Sequence, residues 1–262
     1  MRADVFLVEH GHATTRSQAQ RLIASGVQWR LTEPSAWRKL VKNGEDIPAG
    51  AQVELLDASE ARYVSRGGLK LEGALAAVGL DVSGLHCLDV GQSTGGFTDC
   101  LLQLGARAVV GVDVGQGQLH PQLREDPRVL CVEQVNARAL NATDLIAASA
   151  CPASAGAEFN QNFGLIVADL SFISLTLVLP ALVPLLADTG AMLLLVKPQF
   201  ELQPGQVGKG GIVRDPALYA VVEERIRASC QELGLAVEQW LDSPIQGGDG
   251  NREFFVYARR AA

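Results

Sequence analysis

The sequence is poor in the residues on which metal-binding and disulfide-stapled proteins depend. It contains only five cysteines and four histidines in 262 residues. The cysteines are odd in number, widely spaced and form no CxxC pair, a pattern that favours reduced thiols in a reducing compartment. We therefore predict no metal site.

Long hydrophobic runs are also missing. Although 48% of the residues are hydrophobic, no window reaches the ~18 consecutive apolar residues of a membrane-spanning helix. Residues 1–16 include Asp4 and Glu9 and lack the apolar core of a secretory signal. These absences predict a soluble, cytoplasmic protein without a membrane partner, and we expect it to be a monomer.

Positive charge is scarce overall but concentrated near the N-terminus. The net charge is −7, which by itself speaks against a nucleic-acid partner. Residues 1–42, however, carry a net charge of +4, so the remainder carries −11. Because phosphate attraction depends on the local surface within about 10 Å, this segment is compatible with RNA binding. An incidental basic surface would explain the charge alone, so the segment is only a supporting indication.

The first sixty residues read as a small α+β domain. Helices are predicted at 4–11 and 17–26, the second capped by Thr15 and ended by Gly26. Short strands separated by turn signals are predicted at 27–31, 39–41 and 52–56. We assign residues 1–60 to this domain and residues 61–262 to a second, with 57–66 as the joint.

From residue 69 the pattern changes to alternating strands and helices. Five apolar runs are typical of strands buried on both faces of a parallel sheet: 85–90, 108–114, 129–134, 164–170 and 191–197. Helices are predicted near 97–105, 143–149, 174–187 and 215–233. Two final runs, at 236–243 and 253–260, are expected to form an antiparallel hairpin. The predicted fold is α/β, a Rossmann-like sheet of seven strands that ends in this hairpin.

The most informative segment is the glycine-rich turn CLDVGQSTGGF at 87–97. It follows a strand and opens a helix, at the sheet edge where ligands bind. Ser93 replaces the second glycine of a dinucleotide-binding GxGxxG motif, and Asp89 would oppose a pyrophosphate but suits an ammonium group. Asp113 ends the next strand, where an acid can accept the hydroxyls of a ribose. These features favour S-adenosylmethionine over NAD, with a tight turn that binds nothing as the structural alternative.

The candidate cofactor-binding residues follow from this reading. Asn136, after the third strand, either meets the adenine edge or caps a helix. The full predicted set is Asp89, Gly91, Ser93, Thr94, Gly95, Gly96, Phe97, Asp113 and Asn136.

Four ionisable residues are placed where chemistry at this edge would need them. Asp169 and Lys197 end strands, Glu253 begins one, and Lys70 lies on the first helix of the larger domain. Taken singly, Asp169 would suit a helix cap, and Glu253 or Lys70 a surface ion pair. Together they suit methyl transfer to a ribose hydroxyl, because a sulfonium methyl is already activated and the remaining work is alignment and proton removal. A second lysine nearby would lower the pKa of Lys197 from about 10.4 towards that of a usable base.

No other catalytic set competes with these four residues. The sequence has neither a GxSxG nor an HExxH motif, and its histidines form no convincing cluster. The glycine-rich segment 198–216 after Lys197 is either a mobile lid over a nucleotide or a long connection. In that segment, Phe200 is a candidate for stacking on a base.

The motifs resemble those of the hemolysin A (TlyA) type of rRNA methyltransferases, in which an S4 RNA-binding domain precedes an FtsJ-like 2′-O-ribose methyltransferase domain. The matching segments, in chain order, are TRSQAQRLIASG, SRGGLKLEGAL, CLDVGQSTGGFTDCLL, GVDVGQGQL, VADLSFISL, VKPQFE, GKGGIVRDP and GNREFF. The resemblance implies a catalytic tetrad of Lys70, Asp169, Lys197 and Glu253. It also implies methylation of a cytidine 2′-hydroxyl, with S-adenosylmethionine as cofactor and ribosomal RNA or a ribosomal subunit as partner.

The basic residues of the first domain, its junction and the segment after Lys197 are the candidate RNA contacts. They are Arg16, Arg21, Lys39, Lys42, Arg66 and Lys209. The first domain departs from the family pattern, since WRLTEPSAWRKL replaces the usual tight Asn-Gly hairpin. Gln116, Pro121 and Gln134 also differ from the residues usual in the family; they flank the cofactor and bear on its affinity.

Three other functions remain as alternatives at this point. The family name suggests a secreted pore-forming haemolysin, but the sequence shows no signal, membrane span or long amphipathic helix. A catalytically inactive RNA-binding or ribosome-assembly factor would not require the tetrad. A pseudouridine synthase can also carry an S4 domain, but the predicted adenosylmethionine turn argues against it.

Overall fold

The computed structural model describes residues 1–57, 61–149, 162–247 and 250–261. The predicted joint at 57–66 falls partly outside these residues. The chain divides into two compact units, Met1–Leu69 and Lys70–Ala262.

The first unit packs two helices and a small antiparallel sheet around one apolar core. Its elements are α1 (Ala3–Glu9), α2 (Arg16–Gly26), β1 (Val27–Arg30), β2 (Arg38–Lys39) and β3 (Gln52–Leu55), with the strands in the order β2-β1-β3. Thr15 caps α2 as predicted, since its side chain accepts a hydrogen bond from the Gln18 backbone N–H at 3.2 Å. The apolar faces of both helices meet in the core, where Phe6 and Leu22 are fully buried.

The second unit is built on one seven-stranded sheet. Its strands are β4 (His86–Val90), β5 (Ala108–Val112), β6 (Val129–Val132), β7 (Phe163–Ala168), β8 (Leu186–Val196), β9 (Leu235–Asp242) and β10 (Phe254–Arg260). They lie in the order β6-β5-β4-β7-β8-β10-β9. The first five are parallel, and β10 is antiparallel to both β8 and β9. The predicted α/β class, strand number and terminal hairpin are confirmed.

Helices of the second unit connect these strands. They are α3 (Gly67–Val78, which begins in the first unit), α4 (Gly96–Gln103), α5 (Pro121–Arg124), α6 (Ala142–Ser149), α7 (Leu179–Leu182), α8 (Pro198–Glu201) and α9 (Ala217–Glu232). The single helix predicted at 174–187 is wrong: this stretch forms a 3₁₀ turn, the short α7 and a second 3₁₀ turn. Pro180 and Pro184 interrupt it, because proline cannot donate the backbone hydrogen bond that a helix interior requires. None of the helices in the described ranges is long and apolar enough to cross a membrane.

Candidate active site

Three strand ends that carry charged residues meet at one edge of the large sheet. Asp169 follows β7, Lys197 follows β8 and Glu253 precedes β10. Phe254 and Val196 are partners in the antiparallel pairing of β10 with β8, so Glu253 and Lys197 lie side by side. Residues from three distant segments of the sequence are therefore neighbours in the fold.

Two lysine–carboxylate pairs form at this edge. Lys197 Nζ lies 2.5 Å from Asp169 Oδ1 and donates a hydrogen bond to Ser171 Oγ at 3.0 Å. Lys70, on α3, donates to Glu253 Oε2 at 2.5 Å. Both side chains of this second pair are buried, so the alternative of a surface ion pair is wrong. Each ammonium group is held in position by a carboxylate.

Asp169 does not take the capping role that the sequence allowed. Ser174 caps the turn that begins at Leu175, and its side chain accepts a hydrogen bond from the Thr176 backbone N–H. Because Ser174 caps this turn, the Asp169 carboxylate is available to pair with Lys197.

The glycine-rich turn lies directly against this site. Gly91 has φ +85°, and a Cβ there would lie 2.7 Å from the Asp169 carbonyl oxygen. Gly95 has φ +97°, and a Cβ there would lie 2.4 Å from Leu123 Cδ1. The positive φ favours glycine at both positions, and at Gly91 the Asp169 backbone leaves no room for a Cβ. Ser93, with φ +49°, takes the left-handed conformation despite its side chain.

Asp89, the carboxylate of the turn, has an unusual environment. It is 1% exposed; its Oδ2 accepts a hydrogen bond from Thr98 Oγ1 at 2.7 Å, and its Oδ1 is buried without a partner among the described residues. Burial raises the pKa of Asp89 to about 7, the nearby Asp169 and Asp113 carboxylates add to the rise, and the Thr98 hydrogen bond opposes it. A cationic group at Oδ1 would satisfy both the missing hydrogen bond and the missing charge.

Asp113 and Asn136 stand at the ends of the two neighbouring strands. Asp113 accepts hydrogen bonds from the backbone N–H groups of Ser93 and Gly115, each at 2.7 Å. A carboxylate offers about four acceptor positions, so Asp113 retains capacity for hydroxyl groups. Asn136 accepts from the Arg138 backbone N–H at 3.0 Å, which is the capping role; a contact with adenine stays a prediction.

The remaining predicted residues of the turn differ in what their side chains do. Phe97 is buried, with its ring centroid 6.2 Å from that of Phe255, and so contributes to packing. Gly96 is buried as the first residue of α4. The Thr94 carbonyl accepts a hydrogen bond from the His120 backbone N–H at 3.1 Å, which holds the turn against the segment before α5.

The predicted RNA contacts are surface residues to different degrees. Lys39, Lys42 and Lys209 are exposed, and Arg21 and Arg66 are partly buried. Arg16 is exposed but its guanidinium already pairs with the buried Asp4 at 2.8 Å, so part of its role is structural.

Several residues beside the site were not found from the sequence. Phe172 is 90% exposed and has φ +64°, and its ring centroid lies 5.0 Å from that of Phe200. Both rings line a groove shared with Arg138 and Arg225. Thr98, which contacts Asp89, was also missed. Nothing in a single sequence distinguishes such an exposed phenylalanine from a buried one.

The described residues contain no group of three or more His, Cys, Asp or Glu side chains placed to hold a metal ion. The polar groups of the site are instead ammonium–carboxylate pairs and backbone amides, which suit an organic ligand.

Comparison with known proteins places the chain in a family. Residues 63–260, which include all four charged residues and the glycine-rich turn, match the FtsJ-like methyltransferase family. The chain belongs to this family. The resemblance of this part of the chain to an FtsJ-like methyltransferase domain is thereby confirmed.

The alignments of this FtsJ-like methyltransferase with its relatives cover nearly its whole length. It is 43% identical over 258 residues to the 16S/23S rRNA (cytidine-2′-O)-methyltransferase TlyA of Mycobacterium tuberculosis, covering 98% of this chain and 89% of the relative. It is 35% identical to Hemolysin A of Brachyspira hyodysenteriae, covering 98% and 99%. A solved hemolysin-named structure from Streptococcus thermophilus shares 40% identity and a TM-score of 0.73, covering 100% and 88%.

Proposed function

We propose that this FtsJ-like methyltransferase transfers a methyl group from S-adenosylmethionine to the 2′-hydroxyl of a cytidine in ribosomal RNA. The observation that carries the proposal is the presence of two lysine–carboxylate pairs at one edge of the sheet, where Asp169 of one pair lies against Gly91 of the glycine-rich turn. The substrate class is supported by the relatives, among which TlyA of Mycobacterium tuberculosis bears the name of an rRNA (cytidine-2′-O)-methyltransferase.

The turn fits S-adenosylmethionine in charge and in shape. The unpartnered, buried Oδ1 of Asp89 suits the ammonium group of a methionine moiety. Asp113, at the end of the next strand, suits the ribose hydroxyls, and Gly91 and Gly95 allow close approach to the backbone. When bound there, the cofactor supplies a methyl group already activated on a sulfonium.

Lys197 is the residue that we assign to the proton of the ribose hydroxyl. Its Nζ is held by Asp169 at 2.5 Å and by Ser171 Oγ at 3.0 Å, which restricts it to one geometry. Alignment of this kind lowers the barrier because the reacting groups need no further ordering. The ammonium group of Lys197 must first release one proton to water, because only a neutral amine can act as a base. The neutral Nζ would then take up the hydroxyl proton as the oxygen becomes nucleophilic, and Asp169 would stabilise the ammonium that forms again.

Lys70 and Glu253 form the second half of the proposed tetrad. Their 2.5 Å pair is buried and adjoins Lys197 through the pairing of β10 with β8. A buried pair of this kind is rigid, because separating the charges would leave each one desolvated. We assign to it the positioning of charge around the hydroxyl.

The RNA would reach the site past Phe172 and Phe200. An aromatic ring that is 90% exposed forgoes the stabilisation of burial, and its positive φ adds strain. Stacking of an unpaired base would use such a ring. Arg138 and Arg225, which line the same groove, would attract the phosphate backbone.

The first domain would bind RNA as an S4-like module. This assignment of residues 1–60, with residues 61–262 as the methyltransferase domain, rests on the helix pair, the small sheet and the net charge of +4 over residues 1–42. The proposed contacts are Arg16, Arg21, Lys39, Lys42, Arg66 and Lys209.

The test of the proposed chemistry is Lys197→Ala. We expect at least a roughly 100-fold loss of 2′-O-methylation, because proton transfer by a positioned side chain contributes about 10²–10⁴-fold. S-adenosylmethionine affinity, measured by calorimetry, should stay unchanged. The modified nucleotide is mapped by mass spectrometry of ribosomal RNA from cells with and without the protein.

Lys197→Arg is the matched control variant. It keeps a positive charge beside Asp169, but a guanidinium does not give up its proton in proteins. Both variants should be inactive if Lys197 accepts the proton. Full turnover by Lys197→Ala would refute the role, and turnover retained only by Lys197→Arg would replace proton transfer with electrostatic stabilisation.

A haemolysin is the second candidate, favoured by the name of the Brachyspira hyodysenteriae relative. Lysis of erythrocytes by the purified wild-type protein in buffer would support it. Lysis that persists in Lys197→Ala would assign that activity to a site other than the proposed tetrad.

A further inference from the structure

A chain of three buried polar side chains lies beneath the glycine-rich turn. Gln92 Nε2 donates a hydrogen bond to Thr98 Oγ1 at 2.9 Å, and Thr98 Oγ1 donates to Asp89 Oδ2 at 2.7 Å. Gln92 and Thr98 are 4% and 0% exposed. Burying a polar side chain costs free energy unless its hydrogen bonds are made. Three buried polar side chains in a row beneath the turn therefore call for an explanation.

The direction of the chain is determined by the hydroxyl in its centre. A threonine hydroxyl has one proton and can also accept. Because Gln92 occupies an acceptor position of Thr98, the single hydroxyl proton is directed to Asp89. Hydrogen bonds in such a sequence polarise one another and strengthen the last one.

The neighbouring strand leaves room for the chain. Gly111 of β5 is the register partner of Asp89, and a Cβ at Gly111 would lie 1.9 Å from Gln92 Nε2. Any larger residue would displace the glutamine side chain. The glycine in the middle of a strand, which otherwise weakens a sheet, is therefore explained by the room that Gln92 needs.

We propose that Gln92 and Thr98 are positioning residues that hold Oδ2 of Asp89 and direct Oδ1 of the same carboxylate towards the ammonium group of the methyl donor. The proposal rests on the proposed binding of S-adenosylmethionine at this turn. Oδ1 is the buried oxygen that has no partner in the described part of the chain. The Thr98 backbone N–H also donates to Asp89 and is kept in any side-chain variant. Without the Thr98 hydroxyl, the carboxylate could rotate or take up a proton, and either change would remove the acceptor.

The ionisation state of Asp89 depends on the hydrogen bond that it receives from Thr98. Burial disfavours the ionised form, and Asp169 at the end of β7 and Asp113 at the end of β5 add negative charge, so the pKa of Asp89 rises to about 7. The Thr98 hydrogen bond opposes that rise. Cys87, on the same strand, is kept as a neutral thiol, since burial and the Asp89 charge raise its pKa to about 12.

The sign of the pH effect follows. An ammonium group binds the ionised carboxylate, so affinity should fall as the pH falls through about 7. Loss of the Thr98 donor raises the pKa of Asp89 further, so affinity should begin to fall at a higher pH. A conservative hydroxyl at residue 98 should restore the original profile.

The experiment compares Thr98→Val, Thr98→Ser and Gln92→Leu in the full chain. Binding of S-adenosylmethionine and of 5′-methylthioadenosine, which lacks the amino-acid group, is measured by calorimetry between pH 6 and pH 9, a range of about 1–2 units on each side of the expected midpoint. We expect Thr98→Val to weaken S-adenosylmethionine binding about tenfold at pH 7, the usual scale of a charge-assisted hydrogen bond. The pH at which S-adenosylmethionine affinity begins to fall should be higher in Thr98→Val than in the wild type. Gln92→Leu should show a smaller shift in the same direction, and Thr98→Ser should match the wild type.

The second ligand separates positioning from a merely structural role. Affinity for 5′-methylthioadenosine should be unchanged in all three variants, because it makes no use of Asp89. Equal weakening of both ligands by Thr98→Val, or an unaltered S-adenosylmethionine profile, would overturn the proposal. Failure of the wild type to bind S-adenosylmethionine at all would instead overturn the proposed function on which it rests.

Discussion

Two buried aspartates show how the partners of a side chain decide its role. Asp4 and Asp89 are both almost completely inaccessible to solvent. Asp4 receives hydrogen bonds from Arg2, Arg16 and Gln20, and the two guanidinium groups hold its pKa far below its usual range. Asp89 receives a side-chain hydrogen bond on Oδ2, whereas Oδ1 has no partner among the described residues, and burial raises its pKa to about 7. The first has its acceptor positions filled by the fold, and the second keeps one oxygen for the ligand proposed above.

Asp4→Asn tests the structural half of this contrast. We expect the first unit to lose about 1–2 kcal/mol of unfolding free energy at neutral pH, the scale of hydrogen bonds to a charged group, because water can solvate the half-exposed Arg2 and Arg16 when the carboxylate is lost. Because the folded-state pKa is depressed, the stabilisation in the wild type is present above the ordinary value of 3.8 and is lost as the pH falls below it. Urea unfolding followed by tryptophan fluorescence measures it, since Trp29 and Trp37 both lie in this unit.

Asp46→Asn is the control for that measurement. The Asp46 side chain is 85% exposed and contacts only the terminal ammonium group, at 3.5 Å, among the salt bridges of the described residues. Its replacement should change the unfolding free energy by less than about 0.5 kcal/mol. Similar losses in both variants would show that net charge, and not the Asp4 cluster, determines the stability of the unit.

At the scale of elements, the turn that follows β4 comes very close to the backbone at the end of β7. Gly91 combines a positive φ with a carbonyl oxygen of Asp169 within 2.7 Å of where a Cβ would be. The Asp169 backbone N–H in turn donates to the Val90 carbonyl at 3.0 Å. The turn and the strand end are therefore locked together by their backbones.

Gly91→Ala should push the turn after β4 away from the end of β7. We expect a loss of about 1–3 kcal/mol in stability, the range for strained left-handed backbone, together with loss of detectable S-adenosylmethionine binding. Thermal unfolding and calorimetry provide the two readouts. Gly79→Ala is the matched control, because Gly79 has φ +67° with nothing within 4 Å of its Cβ position. If both variants bind the cofactor equally, the approach of Gly91 to Asp169 has no role in the site.

Element prediction from sequence succeeded where burial on both faces left a continuous apolar run. The five parallel strands of the large sheet were predicted for this reason, whereas the terminal hairpin was predicted from two runs separated by a turn-rich segment. Strand β8 was placed five residues too late, because 187–190 has the composition of a turn; the structure shows a register irregularity against β7 there, between Phe163 and Leu165. The short α5 and α8 were not predicted, since one helical turn gives no periodicity.

That the charged residues gather at one sheet edge was predictable, but how they pair was not. Strand ends that carry Asp169 and Lys197 are visible in the sequence, because parallel strands bring their carboxyl ends to one edge. Which carboxylate pairs with which lysine depends on side-chain direction and on the register of β10, and neither is encoded locally. The roles of Thr98 and Phe172 likewise depend on what surrounds them in space.

At the scale of the whole molecule, charge is divided along the chain. Residues 1–42 carry a net charge of +4 and the remainder carries −11. An acidic surface would repel RNA except where local basic groups outweigh it. The division predicts that affinity for RNA and chemistry on RNA reside in different parts of the chain.

Lys39→Gln combined with Lys42→Gln tests this division. Both lysines are exposed, and removing each lysine–phosphate interaction should lower the slope of log affinity against log salt by about 0.7–0.9. We expect weaker RNA binding, a shallower salt dependence and unchanged S-adenosylmethionine affinity. Filter binding over a salt series, with calorimetry for the cofactor, measures all three.

Arg107→Gln serves as the control because Arg107 is an exposed cation of the acidic portion. It removes a positive charge without touching the basic segment, so RNA affinity should change little. An equal drop in affinity for both proteins would mean that RNA responds to total charge, and the proposed role of the first domain would have no support.

The buried Lys70–Glu253 pair joins residues separated by 183 positions in the chain. One comes from the first helix of the larger unit, and the other from the start of a strand that inserts between β8 and β9. During translation, a ribosome must therefore release almost the whole of this unit before the pair can close. With the role proposed above for the pair, a nascent chain has no complete tetrad until its last strand has left the ribosome.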